Sequence, residues 1–341
     1  MSFMFHFSLK VQEAGSSFMN RTVSSQMDRA SRIYVAGHQG LIGSAVLRLL
    51  ATQGHENIVT AKRTDLDLTY ADNVHKFFQI VRPDYVILAA GKVGGIIANS
   101  QYPADFITAN LAIQLNVLQA AYKVGVAKLI LFGSSCMYPR HCSQPMAETA
   151  LHTGLPETTS MAYAVANMAA IEMCLAYNRQ YGNQTFVPII PSNVYGPNDN
   201  FNLESGHVVP ALLRRLHEAR VSGAPHITLW GSGQPRREFI YADDVAAAAY
   251  NLLNTSCHSL ELPINVGYGR DLSIKDLANL AAEVTAYKGQ ILWDESKPDG
   301  SPRKLLDSRR LLDRGWSPKV ELEDGLQRTY AWYVQQRETV S

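Results

Sequence analysis

The sequence predicts an α/β protein built on a doubly wound parallel sheet, with a smaller C-terminal α/β lobe that would bind substrate. Three observations carry this. A β-branched and aromatic run, Arg32 to Ala36, meets the glycine turn Gly37-His38-Gln39-Gly40-Leu41-Ile42-Gly43 and then the helical pattern Ala45 to Leu50. Strand, glycine turn and helix in that order form the dinucleotide fingerprint of a Rossmann-type fold. Short apolar runs then alternate with helical periodicity as far as Pro197, which implies parallel strands joined by crossover helices. Beyond Pro197 the pattern loosens, as a second lobe would.

In the first turn, glycine lets the backbone approach a pyrophosphate, which free amides at the helix start can bind. Asn57 to Thr60 is the second strand and leads to Ala61-Lys62-Arg63. The adenosine ribose lies at that point in such folds, and basic residues there favour a 2′-phosphate, hence NADP(H). A solvated charge pair is the competing reading. Asp84 to Ala90 is a third strand, ending in small residues that permit close approach of a ligand. Helical periodicity from Ala104 to Val124 precedes the strand Lys128 to Phe132, which runs into Gly133-Ser134-Ser135-Cys136. The helix Met161 to Tyr181 carries Tyr163 on its first turn, and the strand Thr185 to Ile190 closes on Pro191-Ser192-Asn193-Val194. Ligands sit beyond the carboxyl ends of such strands, so these three loops are expected to share one crevice.

The second half reads as a polar loop from Asn198 to His207, a helix Val208 to Ala219, and a strand Ile227 to Trp230. The stretch Gly231 to Phe239 and a helix Asp243 to Leu253 follow. Next come the stretch Pro263 to Gly267, a helix Ser273 to Tyr287, a strand Gln290 to Trp293, the basic stretch Lys297 to Lys304, and a final helix Glu321 to Gln336. The expected division is a disordered leader at 1–30, with Met27 an alternative start, then a cofactor domain at 31–197 to which 237–268 returns. Residues 198–236 and 269–338 form the substrate domain.

The formal charge of +1 over 341 residues provides no field to draw nucleic acid or an anionic membrane, so neither partner is expected. No apolar run is read as approaching the ~20 residues that span a bilayer. The four cysteines form no Cys-x-x-Cys pair and have no metal-like spacing, which predicts a reduced, cytoplasmic protein without a metal.

Cys136 at a strand end is by itself a small buried residue, and His207 by itself a surface histidine. Beside a nicotinamide site they gain a use. A thiolate and an imidazolium on opposite faces of a sugar can remove a proton and return one from the other side, epimerising a carbon acidified by a neighbouring ketone. Ser134 and Tyr163 hydroxyls would hold the enolate oxygen. Arg214-Arg215, Arg236-Arg237 and Arg303-Lys304 are three basic pairs in a neutral chain, and arginine forks match phosphate oxygens. With Trp230 they suggest a nucleotide diphosphate pocket, with about half of the six expected to be surface charges.

These motifs, together with Ala90-Gly91-Lys92-Val93-Gly94-Gly95-Ile96, His207-Val208-Val209-Pro210 and Trp230-Gly231-Ser232-Gly233 through Arg237-Glu238-Phe239, resemble the GDP-L-fucose synthase family of extended short-chain dehydrogenases. The resemblance runs from about Ser31 to Glu338. It implies epimerisation of GDP-4-keto-6-deoxy-D-mannose at C3 and C5, with Cys136 as base and His207 as acid. Reduction at C4 by NADPH would follow, with Ser134 and Tyr163 on the C4 oxygen. It further implies that Phe132, Gly133, Ser134, Ser135, Tyr163, residue 167, Pro191, Ser192, Asn193, Val194 and His207 join the glycine turn and Arg63 around the cofactor. Arg215, Trp230, Arg237 and Lys304 would contact the GDP-sugar, and the protein would be a homodimer joined through the 104–124 and 161–181 helices.

Two residues depart from the family. Gln39 stands where an arginine is common, leaving Arg63 as the main partner of a 2′-phosphate. Asn167 stands where the family has a lysine that bonds the nicotinamide ribose and eases proton loss from the tyrosine. The expectation is an enzyme biased toward epimerisation with a weak hydride step. The alternatives are another 4-keto sugar-nucleotide epimerase or reductase, and a catalytically silent binder of NADP or a nucleotide sugar.

Overall fold

The computed structural model describes residues 27–182, 185–255, 261–297 and 299–338. Residues 1–26, most of the expected leader, and Cys257 lie outside them. Residues 27–30 pack with the cofactor domain: Met27 is buried, and the Glu56 amide donates to the Arg29 carbonyl at 3.1 Å.

The cofactor domain opens with β1 (Ile33–Ala36), α1 (Leu41–Thr52), β2 (Ile58–Val59), α2 (Ala71–Val81) and β3 (Tyr85–Leu88). It continues with α3 (Ile96–Gln101), α4 (Pro103–Val124), β4 (Lys128–Phe132), α5 (Met161–Tyr181), β5 (Phe186–Pro191) and β6 (Asn193–Tyr195). The rest comprises α6 (Val208–Ser222), β7 (His226–Trp230), β8 (Arg236–Tyr241), α7 (Ala242–Asn254), β9 (Ile264–Val266), β10 (Asp271–Ser273), α8 (Ile274–Thr285), β11 (Gln290–Asp294), β12 (Arg303–Lys304), α9 (Arg309–Leu312) and α10 (Leu322–Glu338).

The main sheet runs β2-β1-β3-β4-β5-β9, and every pairing in it is parallel. The period of two along β1 shows why two layers of helices are needed. Ile33 and Val35 enter one core with α1 and α7, while Tyr34 and Ala36 enter the other with α2, α4 and α5. Strand order reverses between β1 and β3, and the glycine turn opens there. The expected doubly wound sheet is present; β9 is its last strand and α7 packs on one of its faces.

The second lobe has its own core, in which Leu213 and Leu216 of α6 meet Leu277 and Ala281 of α8 and Leu326 of α10. β7 pairs with β11, while β8 is flanked by β6, β10 and β12. The stretch Arg236 to Phe239, to which the sequence assigns no element, is therefore strand.

One expectation about apolar runs needs correction. Thr158–Tyr181 reaches the length and mean hydropathy (1.2) of a membrane-crossing helix by composition. Its alanines, Ala164, Ala166 and Ala170, are buried, and α5 packs along α4. A core helix built on alanine meets the same criterion.

Candidate active site

A cavity of about 1440 Å³ lies over the carboxyl ends of the main sheet and extends under the second lobe. Its dinucleotide end is set by close backbone packing. A Cβ on Gly43 would lie 2.1 Å from the Gly37 carbonyl oxygen, and one on Gly37, at φ +78°, would lie 2.6 Å from that of Ala89. The turn, α1 and the end of β3 are thus in contact without side chains between them. Gly40 caps α1 with no side-chain bond, which leaves the first amides of the helix to an anion. Gly37, His38, Gln39, Gly40, Leu41 and Ile42 line the cavity here, with Lys62 and Arg63 at its rim. The Arg63 side chain is 85% exposed, with Asp67 3.4 Å away, so it is available to a 2′-phosphate. These features fit a dinucleotide.

At the end of β4, Ser134 Oγ accepts from the Cys136 amide at 3.3 Å and caps a short turn that presents the half-buried thiol. Tyr163 stands opposite on α5, with Phe106 edge-on at 6.2 Å. Burial raises the Tyr163 phenol well above its ordinary value, and the neighbouring Cys136 adds to the rise. The Asn167 amide and Ser134 hydroxyl oppose it. No cation acts on it among the described residues. Asn167 is only 3% exposed, and its Nδ2 donates to the Tyr163 carbonyl at 2.8 Å.

His207 caps the start of α6 and lines the same cavity. Its Nδ1 lies 3.5 Å from Asp199 Oδ1, an ion-pair distance rather than a closed hydrogen bond. Interaction with Asp199 raises the imidazole above its ordinary value, and burial opposes the rise. The loop between them is built from asparagine turns. Asn202 Oδ1 accepts from the amides of Glu204 and Ser205, and a Cβ on Gly206 would lie 2.3 Å from the Asn200 carbonyl oxygen.

Under the second lobe, the six basic residues divide. Arg214 bonds Glu218 at 2.8 Å, while Arg236 and Arg303 both bond Asp271. Arg215, Arg237 and Lys304 line the cavity with the exposed Trp230. Arg237 and Lys304 are register partners on the parallel strands β8 and β12, so their side chains leave the same face. Burial lowers the Arg237 guanidinium from its ordinary value; Cys136, Asp299 and Glu157 act against that.

Residues 33–267 match the model of the NAD dependent epimerase/dehydratase family. GDP-L-fucose synthase 1 of Arabidopsis thaliana is 50% identical over 312 residues, which cover 92% of this chain and 96% of that protein. The chain belongs to the GDP-L-fucose synthase family. Among solved structures, a GDP-L-fucose synthetase from Naegleria fowleri bound to NADP superposes with a TM-score of 0.84 at 29% identity, covering 93% of this chain and 99% of that one. A GDP-mannoheptose C4 reductase from Campylobacter jejuni with NADP bound gives 0.82 at 35% identity, covering 90% and 99%. The chain is thus an enzyme of the epimerase/reductase type, and its cofactor is NADP(H).

For a GDP-L-fucose synthase family member, the cavity gathers most of the residues named from sequence. Gly133, Ser134, Ser135, Cys136, Tyr163, Pro191, Ser192, Asn193, Val194 and His207 all line it. Three do not. Gly43 is buried against Gly37, Phe132 packs into the core under the sheet, and Asn167 folds back on its own helix. Asn167 carries no charge and does not line the cavity. Sequence reading overlooked Asp199, and also Glu157, which lines the cavity and accepts from Ser301 Oγ at 3.3 Å. Both sit in polar loops with no periodic signal.

Proposed function

We propose that this chain converts GDP-4-keto-6-deoxy-D-mannose to GDP-L-fucose, and that its hydride step is slow. The observation that carries this is one cavity lined by Cys136, His207, Ser134 and Tyr163, with Asn167 buried where the family has a lysine. Cys136 as thiolate takes the proton at C3, then at C5. Charge develops on the C4 oxygen, where the Ser134 and Tyr163 hydroxyls donate to it. His207 as imidazolium returns a proton to the opposite face. Each pair of transfers leaves a thiol and a neutral imidazole, which exchange protons with water to reset. Bound NADPH supplies the hydride for C4, and Tyr163 gives its proton to the resulting alkoxide. Arg237 and Lys304 hold the diphosphate, and Trp230 flanks the nucleoside.

The missing charge falls on the last proton transfer. The Tyr163 phenol is raised by burial, and among the described residues nothing cationic offsets it. Epimerisation does not require the phenolate and is less affected.

A homodimer is part of the same reading. α4 and α5 expose Leu115, Tyr122, Val165 and Tyr181, and Tyr122 stacks on Tyr181 at 4.4 Å. An apolar face of this kind suits a second copy.

The test is incubation with GDP-4-keto-6-deoxymannose in D₂O, with and without NADPH. Deuterium entry at C3 and C5 without matching loss of nicotinamide absorbance is the expected result. Brisk NADPH oxidation overturns the slow-hydride claim. Neither signal points to a different 4-keto sugar or a silent binder.

A further inference from the structure

We propose that Asp199 is the positioning carboxylate of His207: it holds the proton on Nδ1 and so directs proton donation to the substrate through Nε2. The inference rests on reading His207 as the epimerisation acid, and it adds a residue on which that acid depends.

Three observations carry it. The Asp199 side chain is 3% exposed, and its Oδ1 faces His207 Nδ1 at 3.5 Å. Its Oδ2 is buried with no partner among the described residues. A carboxylate serving only as a loop cap would need one oxygen, and Oδ1 already accepts the Asn200 amide at 2.7 Å. A buried, unpartnered oxygen is destabilising and is retained where charge is needed. The third observation is the frame. The Asn202 carbonyl accepts the Gly206 amide at 2.9 Å and the Ser205 carbonyl accepts the Gly95 amide at 3.0 Å, so the turn between Asp199 and His207 is closed on itself and tied to Gly95. A frame of this kind fixes the two side chains relative to each other.

The chemistry follows from the two ring nitrogens. An acid must present its proton to carbon from the nitrogen that faces the cavity. With Nδ1 turned to a carboxylate, that nitrogen keeps its proton throughout. Nε2 gives its proton to the substrate carbon, retains the electron pair, and is left ready for reprotonation from water. The 3.5 Å separation is ion-pair range, and catalytic contacts of this kind are commonly long in unliganded sites. Asp199 is the charged group that acts on His207 among the described residues, and it favours the imidazolium.

The experiment is deuterium exchange at C3 and C5 as a function of pH, for the wild type, Asp199→Asn and His207→Gln. Asp199→Asn should shift the alkaline limb of the exchange profile to lower pH. Each unit of that shift costs about tenfold in rate above the limb. NADPH affinity should stay at the wild-type value, which a general loosening of the site would not leave untouched. An unmoved limb in Asp199→Asn, with exchange abolished in His207→Gln, overturns the role of Asp199 and leaves His207 as the acid. Wild-type exchange in His207→Gln overturns the acid itself. Should Asp199→Asn fail to fold, ¹⁵N-histidine spectra of the wild type decide the matter, with His207→Gln as assignment control. The neutral ring is expected as the Nδ1-H tautomer, and an Nε2-H tautomer refutes the proposal.

Discussion

The Asn167 amide nitrogen donates to the carbonyl of Tyr163, one turn back on the same helix, at 2.8 Å. That side chain also opposes the rise of the Tyr163 phenol, but it brings no charge to it. A cation ~4–5 Å from the phenol, at an effective dielectric near 20, is worth on the order of 3 kcal/mol. Asn167→Lys should therefore raise single-turnover NADPH oxidation by roughly a hundredfold. Deuterium exchange at C3 and C5 should change little. Equal gains in both would show that the two steps do not divide between these groups.

Cys136 stands at the other end of the chemistry. Cys136→Ser keeps the turn that Ser134 caps but loses a base of suitable strength. Exchange at C3 and C5 should fall by about 10²–10⁴. NADPH titration should give the wild-type affinity, because Gly37 to Ile42 are untouched.

Adjacent arginines on β8 should behave differently. Arg237 faces the cavity, whereas Arg236 bonds Asp271 at the surface. Arg237→Ala removes charge-assisted bonds to a diphosphate worth ~1.5–3 kcal/mol, and should raise KM for the GDP-sugar about 10- to 100-fold. Arg236→Ala removes one of the two arginine partners of the buried Asp271 carboxylate, which keeps Arg303, and should leave KM near wild type. Initial-rate kinetics on both variants separate the roles.

Glu238, between Arg237 and Phe239, is fully buried, and burial raises its carboxyl to about 7. The amides of Gly269 and Leu306 donate to it at 2.6 and 3.0 Å, tying β8 to two other segments. The folded pKa exceeds the ordinary 4.5, so across that window the folded protein holds a proton that the unfolded chain has released. Stability should therefore fall as pH rises from 4.5 to about 7, by on the order of 3 kcal/mol, then level off with respect to this group. Denaturant titrations at the two ends of the window should show this slope in the wild type, and Glu238→Gln should lack it.

How much was legible in the sequence depends on which physics sets each feature. β4 and α5 were read with the observed bounds, because Lys128 to Phe132 is a continuous apolar run stopped by Gly133, and Tyr181 is followed by a glycine in the left-handed region. α2 escaped notice because only Val74 and Phe78 of its residues are buried and Tyr70 gives no side-chain cap. β8 carries no strand signal in the sequence because Arg236, Arg237 and Glu238 break the apolar alternation of a strand. Each has a separate job: one bonds Asp271, one faces the cavity and one lies at the centre of the lobe. The Arg214–Glu218 pair follows helical i,i+4 spacing, whereas Arg236 and Arg303 are claimed by Asp271, more than thirty residues from either, which their own stretches do not reveal. Asp199 was hidden for the same reason, as its meaning comes from a contact across a turn.

The register of β8 and β12 makes the nucleotide a splint as well as a ligand. Arg237 and Lys304 are neighbours across strands ~4.8 Å apart, and β12 is two residues long. Two positive side chains on one face push apart the strands that carry them, and a bound diphosphate would turn that repulsion into a bridge. GDP alone should thus raise the thermal midpoint, most steeply at low salt. The closing of this lobe would then be set by cargo, with an empty enzyme looser at β12 than a loaded one.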